Sequence, residues 1–334
     1  MKEGKKIAVA IFFGGISRER EVSIQSANFI IEELKKNTKF KIFTFDFPKE
    51  IEKFWKQKNK IDLVFPVLHG NLGEDGHAAA ICNIAKIPFI SSEVRSAAMC
   101  MNKFTTKVLA RKFKIPVVDD IFIKKLTNDT FRISENGKKF FEFTEKNFLI
   151  NLKKKIKKIN FPVIIKPAEN GSSVGVEIIK NWKSLQNGLK KIWKIDSQIL
   201  IEKFLTGQEI TIGVLEKFGR LEILPSIEIK PNKSHFYDFS AKYSIGGSNH
   251  IIPANITSKI EKKLKKISKE IFQILDCKNL ARIDFFIVKD KIFLIEVNTL
   301  PGFTKISLFP EAAKSSGINF GELLEILIFS TLQN

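Results

Sequence analysis

Apolar and polar residues follow two alternating periods along this chain, one typical of strands and the other typical of helices. The chain opens with an apolar run at 7–13, a Gly-Gly turn, and a segment at 22–36 whose apolar residues recur every three or four positions. Short apolar runs predict further strands at 41–45, 62–68 and 88–92, with helices between them. Strands that alternate with helices predict an α/β domain, which ends near residue 98.

The rest of the chain predicts further α/β regions. The predicted helices are 97–113, 258–275 and 320–332, and the predicted strands include 161–166 and 198–204. The stretch 124–160 reads as a hairpin followed by a basic helix, and no chemistry is assigned to it.

The stretch ARIDFFIVKDKIFLIEVNTLPG predicts a β-hairpin, because two apolar runs flank a polar tripeptide. With the turn centred on Asp290, residues whose numbers sum to 580 face each other. Asp284 then lies opposite Glu296, and Arg282 lies opposite Asn298. All four share one face, because side chains alternate along a strand. The other face holds the apolar residues Ile283, Phe285, Ile295 and Val297.

The polar face of this hairpin indicates a metal site. Two carboxylates that face each other repel, so a positive group is expected between Asp284 and Glu296. Together with the amide oxygen of Asn298 they form a set of hard oxygen ligands, which suits Mg²⁺ or Mn²⁺ better than Zn²⁺. Because Mg²⁺ with few protein ligands commonly shares substrate phosphates, the hairpin favours a nucleotide. The competing interpretation is a solvated polar sheet face, which the neighbouring Arg282 makes less favoured.

Composition narrows the classes of function. The 334 residues favour two or three domains, and 56 Lys and Arg against 36 Asp and Glu give a net charge of +20. This charge would permit nucleic-acid or membrane-surface binding, but it is spread along helical stretches without an aromatic-basic RNA motif or zinc-finger spacing. The three scattered cysteines suggest no disulfide framework, and no apolar run reaches about 18 residues. The sequence therefore predicts a cytoplasmic protein with a mostly solvated basic surface.

Three loops carry further candidate chemistry. Glu19 follows the Gly-Gly turn at a helix start, where it could hold an ammonium group or only cap the helix. His69 follows a strand and lies among loop glycines. The loop ENGSSVG, with the hydroxyls of Ser172 and Ser173, could wrap an anion beside Lys166, although it lacks the Walker A pattern. The long segment at about 237–250 is typical of a lid.

Seven segments together resemble one family. FFGGISREREVSI, VLHGNLGEDG, KPAENGSSVGV, IEKFLTGQE, YDFSAKY, ARIDFF and IEVNTLPGFTKISLFP, in this order, look like the D-alanine:D-alanine ligases of bacterial cell-wall synthesis. The resemblance covers nearly the whole chain. It implies an ATP-grasp enzyme of three α/β domains, here 1–98, 99–206 and 207–334, with ATP between the sheets of the second and third.

The resemblance also implies a role for each matching position. Those implied to contact ATP are Lys103, Lys166, Ser173, Glu202, Lys203, Leu205, Glu209, Phe236 and Lys242. The implied metal ligands are Asp284, Glu296 and Asn298, for two Mg²⁺ or Mn²⁺ ions. Glu19 and His69 would lie at the first D-alanine, with Ser172 and Tyr243 joining Glu19 to close the lid. Arg282 and Gly302 would form the oxyanion site, and Ser307 and Leu308 would receive the second D-alanine.

Three hypotheses about function follow. The first is D-alanine:D-alanine ligation through an acyl phosphate, by a homodimer. The second keeps the fold but changes the acceptor, for example to D-lactate. The third is a basic nucleotide- or nucleic-acid-binding protein without chemistry, which the acidic hairpin face makes less favoured. Three features depart from the family pattern. Asn102 stands where an acid is expected, Leu300 stands where a small polar residue is expected, and the 124–160 stretch is basic.

Overall fold

The computed structural model describes residues 5–171, 174–232 and 247–333. It begins with a parallel three-stranded sheet. The strands are β1 (Ile7–Gly14), β2 (Phe40–Phe47) and β3 (Leu63–Pro66), and the helices are α1 (Arg20–Lys35), α2 (Ile51–Gln57) and α3 (His77–Ala85). The strand order is β2-β1-β3, so that β1 is central and wholly apolar. The strand predicted at 88–92 is wrong: Phe89 forms only an isolated bridge to Val64.

The helix predicted at 97–113 is two helices, α4 (Val94–Met101) and α5 (Lys103–Lys112). Asn102 separates them, because its backbone is extended and its side chain accepts a 2.9 Å hydrogen bond from the N–H of Thr105. This is an N-cap, a position where Asn is favoured. The cap fixes the direction in which α5 leaves the turn, and therefore where Lys103 points.

A second, six-stranded antiparallel sheet follows. Its strands are β4 (Asp120–Lys125), β5 (Thr130–Glu135), β6 (Phe140–Thr144), β7 (Val163–Pro167), β8 (Glu177–Ile179) and β9 (Gln198–Lys203), in the order β6-β5-β4-β9-β7-β8. The helices α6 (Glu145–Ile159) and α7 (Trp182–Ile192) bury their apolar residues against the sheet. The predicted hairpin and basic helix within 124–160 are confirmed as β5, β6 and α6.

The third sheet carries the organising hairpin. Its strands are β10 (Gln208–Lys217), β11 (Arg220–Ile223), β12 (Ile227–Pro231), β13 (Ser248–Ile251), β14 (Leu280–Val288) and β15 (Lys291–Asn298). The order is β13-β12-β10-β14-β15, and β11 also pairs with β10. The helices are α8 (Ser258–Ile274), α9 (Leu308–Ser315) and α10 (Phe320–Gln333). Helix α10 packs into one apolar core with α1 and the first sheet, so the first and third sheets are held together.

The hairpin register confirms the predicted pairing and corrects its cause. Asp284 faces Glu296 and Arg282 faces Asn298, but near the turn the paired numbers sum to 579, as for Val288 and Lys291. A β-bulge next to Asp284 absorbs the one-residue difference. The prediction for Ile295 is wrong for this reason: its side chain lines a cleft between two sheets rather than the apolar core.

Three regions each contain one sheet, but the domain boundaries at 98 and 206 stay predictions. Among the described residues no helix combines the length and apolarity that crossing a membrane requires.

Candidate active site

A cleft between the second and third sheets has a cavity of about 160 Å³. Six residues predicted to contact ATP line it: Lys103, Lys166, Glu202, Lys203, Leu205 and Glu209. Two predicted metal ligands, Asp284 and Glu296, lie on its third-sheet side. The remaining lining is largely apolar, with Ile164, Val174, Phe286 and Ile295 among its members. A cleft lined by apolar side chains together with cations and carboxylates suits a nucleotide, whose base is flat and whose phosphates are charged.

A buried chain of charges supports this cleft. Glu202 is 4% exposed, and its two oxygens accept hydrogen bonds from Lys107 (2.6 Å) and Lys166 (2.8 Å). Lys107 also pairs with Asp120 at 3.0 Å, and Arg111 pairs with Asp120. Burial alone would raise the pKa of Glu202, but the charges and hydrogen bonds of the two lysines outweigh it and lower the pKa to about 2. Glu202 is therefore a fixed carboxylate at neutral pH.

The negative charge on the polar face of the hairpin is balanced by side-chain cations. Arg282 donates to both oxygens of Asp284, at 3.0 and 2.8 Å, and Thr211 donates to the same carboxylate at 2.6 Å. Lys103 lies 3.4 Å from an oxygen of Glu296, and Arg282 lies 3.8 Å from the other. The positive charge expected between the carboxylates is thus supplied by Arg282 and Lys103.

The hairpin residues also fit a hard cation. Each carboxylate oxygen carries more than one lone pair, so the present contacts do not exhaust the acceptors of Asp284 and Glu296. The amide oxygen of Asn298 already accepts the N–H of Leu300 at 2.8 Å, which fixes its orientation. A set of hard oxygens beside a phosphate cleft matches Mg²⁺ chemistry.

A second, smaller cavity of about 60 Å³ adjoins the cleft. The predicted substrate residues Glu19, His69, Arg282 and Gly302 line it, together with Glu74, Gly171 and Asn298. Lys103 and Glu296 line both cavities. A phosphate in the cleft and a small molecule in this second cavity would therefore meet at these two side chains.

Glu19 and His69 reach the second cavity from the carboxyl ends of β1 and β3. Glu19 lies at the N-cap position of α1, but its side chain makes no capping hydrogen bond there, which counts against the capping alternative. A methyl group built on Gly171 would lie 3.6 Å from an oxygen of Glu19 and 3.6 Å from an oxygen of Glu74. Gly171 itself therefore lies close to both carboxylates.

His69 is a buried neighbour of these acids. Its backbone carbonyl accepts the Ser17 hydroxyl at 2.7 Å, and its Nδ1 lies 3.9 Å from Glu74. Burial lowers the pKa of His69, but the contact with Glu74 and the charge of Glu19 outweigh it and raise the pKa above its ordinary value. Its Nε2 is buried without a hydrogen-bond partner in the described parts of the chain. A buried ring nitrogen of this kind is available to a ligand.

Gly302 and Ser307 lie side by side after the hairpin. A Cβ at Gly302 would stand 2.8 Å from the Ser307 hydroxyl oxygen, which accepts the N–H of Thr304 at 2.9 Å. Leu308 begins α9 and is buried. Gly302 lines the second cavity, whereas Ser307 and Leu308 are absent from its described lining.

Some positions were missed, and others lie outside the described residues. Glu74 and Lys107 were not predicted, although Glu74 follows His69 in the same glycine-rich loop and Lys107 lies one helical turn after Lys103. The predicted site residues outside the described ranges are Ser172, Ser173, Phe236, Lys242 and Tyr243, and so is most of the predicted lid at 237–250.

Comparisons with known proteins agree with the geometry. Models of the "D-ala D-ala ligase C-terminus" and "D-ala D-ala ligase N-terminus" match residues 130–329 and 44–92. A D-alanine--D-alanine ligase from Carboxydothermus hydrogenoformans is 35% identical over 97% of this chain and 98% of its own. One from Clostridium tetani is 34% identical over 99% of this chain and 95% of its own.

The chain belongs to the D-alanine:D-alanine ligase family. This confirms the resemblance drawn from the seven segments, the ATP-grasp fold of α/β domains and the class of carboxylate-amine ligase that uses ATP.

Solved structures of the family have the same fold. The Bacillus anthracis D-alanine--D-alanine ligase complexed with ATP has a TM-score of 0.80 and is 26% identical, covering 98% of both chains. The VanG D-Ala:D-Ser ligase from Enterococcus faecalis has a TM-score of 0.78 and is 27% identical, covering 98% of this chain and all of its own. A D-alanine--D-alanine ligase and a D-Ala:D-Ser ligase thus match about equally well, so the fold does not identify the second substrate.

Proposed function

We propose that this protein joins two D-alanine molecules in a reaction driven by ATP, through a D-alanyl phosphate intermediate. The observation that carries the proposal is the pair of adjoining cavities, which share Lys103 and Glu296. The larger cavity suits the nucleotide, and the smaller one has the acids, histidine and arginine that suit an amino acid. The shared wall is where a carboxylate would meet the γ-phosphate.

The nucleotide binds in the larger cleft. The apolar walls receive the base, Glu209 binds the ribose, and Lys103 and Lys166 contact the phosphates. Lys166 is 6% exposed and is held at 2.8 Å by Glu202, so its position is set before the nucleotide arrives. Such preorganised charge provides most of the catalysis in phosphoryl transfer.

Asp284, Glu296 and Asn298 would hold two Mg²⁺ or Mn²⁺ ions against these phosphates. Such ions neutralise developing negative charge on the phosphates when they are bound. Arg282 and Lys103, which contact the same carboxylates, supply fixed positive charge beside them.

The first D-alanine binds in the smaller cavity. Glu19 holds its ammonium group, and His69 lies beside it. The substrate carboxylate then faces the shared wall, where one of its oxygens attacks the γ-phosphorus. The bond between that phosphorus and the β–γ bridging oxygen breaks, and ADP leaves. The acyl phosphate must be kept from water, which is the role proposed for the 237–250 segment with Ser172 and Tyr243.

The second D-alanine approaches from the Gly302 side. Its neutral amine attacks the acyl carbon, and Arg282 and the N–H of Gly302 stabilise the resulting oxyanion. The bond between the acyl carbon and the phosphate oxygen then breaks, and phosphate leaves while the nitrogen gives up one proton and the peptide bond forms. Ser307 and Leu308 bind this acceptor. The buried Asp284–Arg282 fork holds the guanidinium in place for the oxyanion.

The alternative that remains is a different acceptor. D-Lactate or D-serine would use the same first half-reaction, and the similarity to a D-Ala:D-Ser ligase keeps this alternative open. Family membership counts against a nucleic-acid-binding protein without chemistry.

Phosphate release from ATP tests the proposal. With Mg²⁺ we expect release that depends on D-alanine, with a product of dipeptide mass. L-Alanine, D-lactate and D-serine serve as comparison substrates. Turnover with one of the latter two as the preferred acceptor would retain the ligase but change its product, and release independent of any amino acid would contradict ligation.

Asp284→Asn tests the hairpin site in the same assay. We expect at least about a hundredfold loss of kcat/KM, because the substitution removes a charged ligand and weakens the fork that holds Arg282. Asp290→Asn, in the exposed turn of the same hairpin, is the control and should stay within about twofold of the parent. Full activity of a folded Asp284→Asn protein would exclude the metal site.

Two expectations stay predictions. Sedimentation equilibrium would test the homodimer, and fractionation of the cells that make the protein would test the cytoplasmic location.

A further inference from the structure

Lys107 is a fully buried lysine behind the nucleotide cleft. Its side chain is 1% exposed, and its Nζ lies 2.6 Å from Glu202 and 3.0 Å from Asp120. It is not part of the described cleft lining, which Glu202 and Lys166 form in front of it. A buried ammonium group is costly unless it is paired, so its position is set by these two carboxylates.

Lys107 and Lys166 share the carboxylate of Glu202. Lys107 binds Oε1 of Glu202, and Lys166 binds Oε2. Without Lys107, the whole negative charge of Glu202 would act on Lys166 alone, and the carboxylate would turn toward that lysine. The amine that should meet a phosphate would then be held more tightly by the protein.

A helix and two paired strands carry this network. Lys103 and Lys107 are one turn apart on α5, so both point to the same side of the helix, one into the cleft and one behind it. Asp120 on β4 is the register partner of Glu202 on β9. Helix and sheet therefore meet through Lys107.

We infer that Lys107 is a positioning residue for ATP: it holds Glu202, and through it Lys166, in the arrangement that receives the nucleotide, without contacting the nucleotide. This inference rests on the proposed use of ATP. It adds a residue that acts from behind the cleft to those that line it.

Two variants separate positioning from charge balance. Lys107→Met removes the cation and leaves the negative charge of Asp120 paired with Arg111 alone. Lys107→Met/Asp120→Asn removes the cation and the acid that shares it, so the buried charge stays balanced. We expect both variants to raise the KM for ATP at least tenfold while kcat at saturating ATP stays within threefold. Lys107→Arg keeps a donor for both acids. We expect its KM for ATP to be at least threefold lower than that of Lys107→Met.

The matched control is Lys155→Met. Lys155 is a largely buried lysine on α6 that pairs with Glu135 at 2.6 Å, away from the cleft. The KM of the Lys155→Met variant for ATP should stay within twofold of that of the parent. Folding of every variant is checked by circular dichroism.

The outcomes are distinct. An unchanged KM for ATP in the folded double variant would overturn the inference, because charge balance would then explain the role of Lys107. Equal losses in Lys155→Met would overturn it too. Direct binding of a non-hydrolysable ATP analogue is measured by calorimetry alongside turnover. If the parent binds the analogue but shows no turnover with D-alanine, the proposed function fails while the effect of Lys107 is still measured.

Discussion

The pKa and the position of single side chains in this site depend on the charged groups that they contact. Lys107 and Lys166 lower the pKa of Glu202, and Glu74 and Glu19 raise the pKa of His69. Asp284 is bound on both oxygens by one arginine. The alternation along the hairpin predicted Asp284 opposite Glu296, because their spacing is local. It could not predict the contact between Lys107 and Glu202, which are 95 positions apart and meet only in the folded chain.

Glu202→Gln tests the buried charge chain. It leaves Lys107 and Lys166 facing a neutral amide, and we expect the free energy of unfolding at pH 7 to fall by about 3 kcal/mol. The lowered pKa of Glu202 means that its stabilisation is fully present above pH 4.5 and is lost as the pH falls toward about 2. Urea titrations from pH 7 to 3 should therefore show the difference between parent and variant shrinking below pH 4.5.

The control is Glu142→Gln. In the parent, the exposed carboxylate of Glu142 pairs with Arg132 on the second sheet. We expect it to cost under about 0.5 kcal/mol. A difference for Glu202→Gln that stays constant from pH 7 to 3 would mean that ionisation of Glu202 does not stabilise the fold.

At the scale of elements, turns and caps decide where functional side chains point. The two-residue turn and the β-bulge together preserve the pairing of Asp284 with Glu296, although either alone would shift it. Asn102 ends α4 and caps α5, where the apolar pattern indicated one continuous helix. Capping depends on a backbone angle at one residue, which a periodic pattern does not report.

Asn102→Ala tests this cap. We expect the free energy of unfolding to fall by about 1 kcal/mol, because the N–H of Thr105 loses its acceptor. Asn151→Ala, within α6, is the control and should be neutral or slightly stabilising, because Ala favours helix interiors. Equal losses in the two variants, measured by urea denaturation, would contradict the capping role.

At the scale of the whole molecule, the site forms where three sheets meet. The cleft needs the second and third sheets, and the smaller cavity adds Glu19 and His69 from the first. A ligand that bridges these sheets stabilises the folded chain by mass action. The net charge of +20 contributes a basic surface but forms no part of this arrangement.

Nucleotide binding tests the shared site. A non-hydrolysable ATP analogue with Mg²⁺ at about 100 times its Kd should raise the free energy of unfolding by about 2.7 kcal/mol. A polynucleotide at 0.15 M salt should leave it unchanged if the basic surface is only solvated. Thermal or urea denaturation measures both, and stabilisation by the polynucleotide alone would favour the nucleic-acid hypothesis.

The sequence by itself determined the elements, the family and the polar face of the hairpin, because these depend on spacing within a few residues or on motifs kept in order. Tertiary structure decided what no local spacing reports. It divided one predicted helix at Asn102, moved Ile295 into the cleft and brought Glu74 beside His69. It also buried Lys107 between Asp120 and Glu202. The contacts of Lys107 join residues from a helix and two strands, and they form only because packing removes those side chains from water.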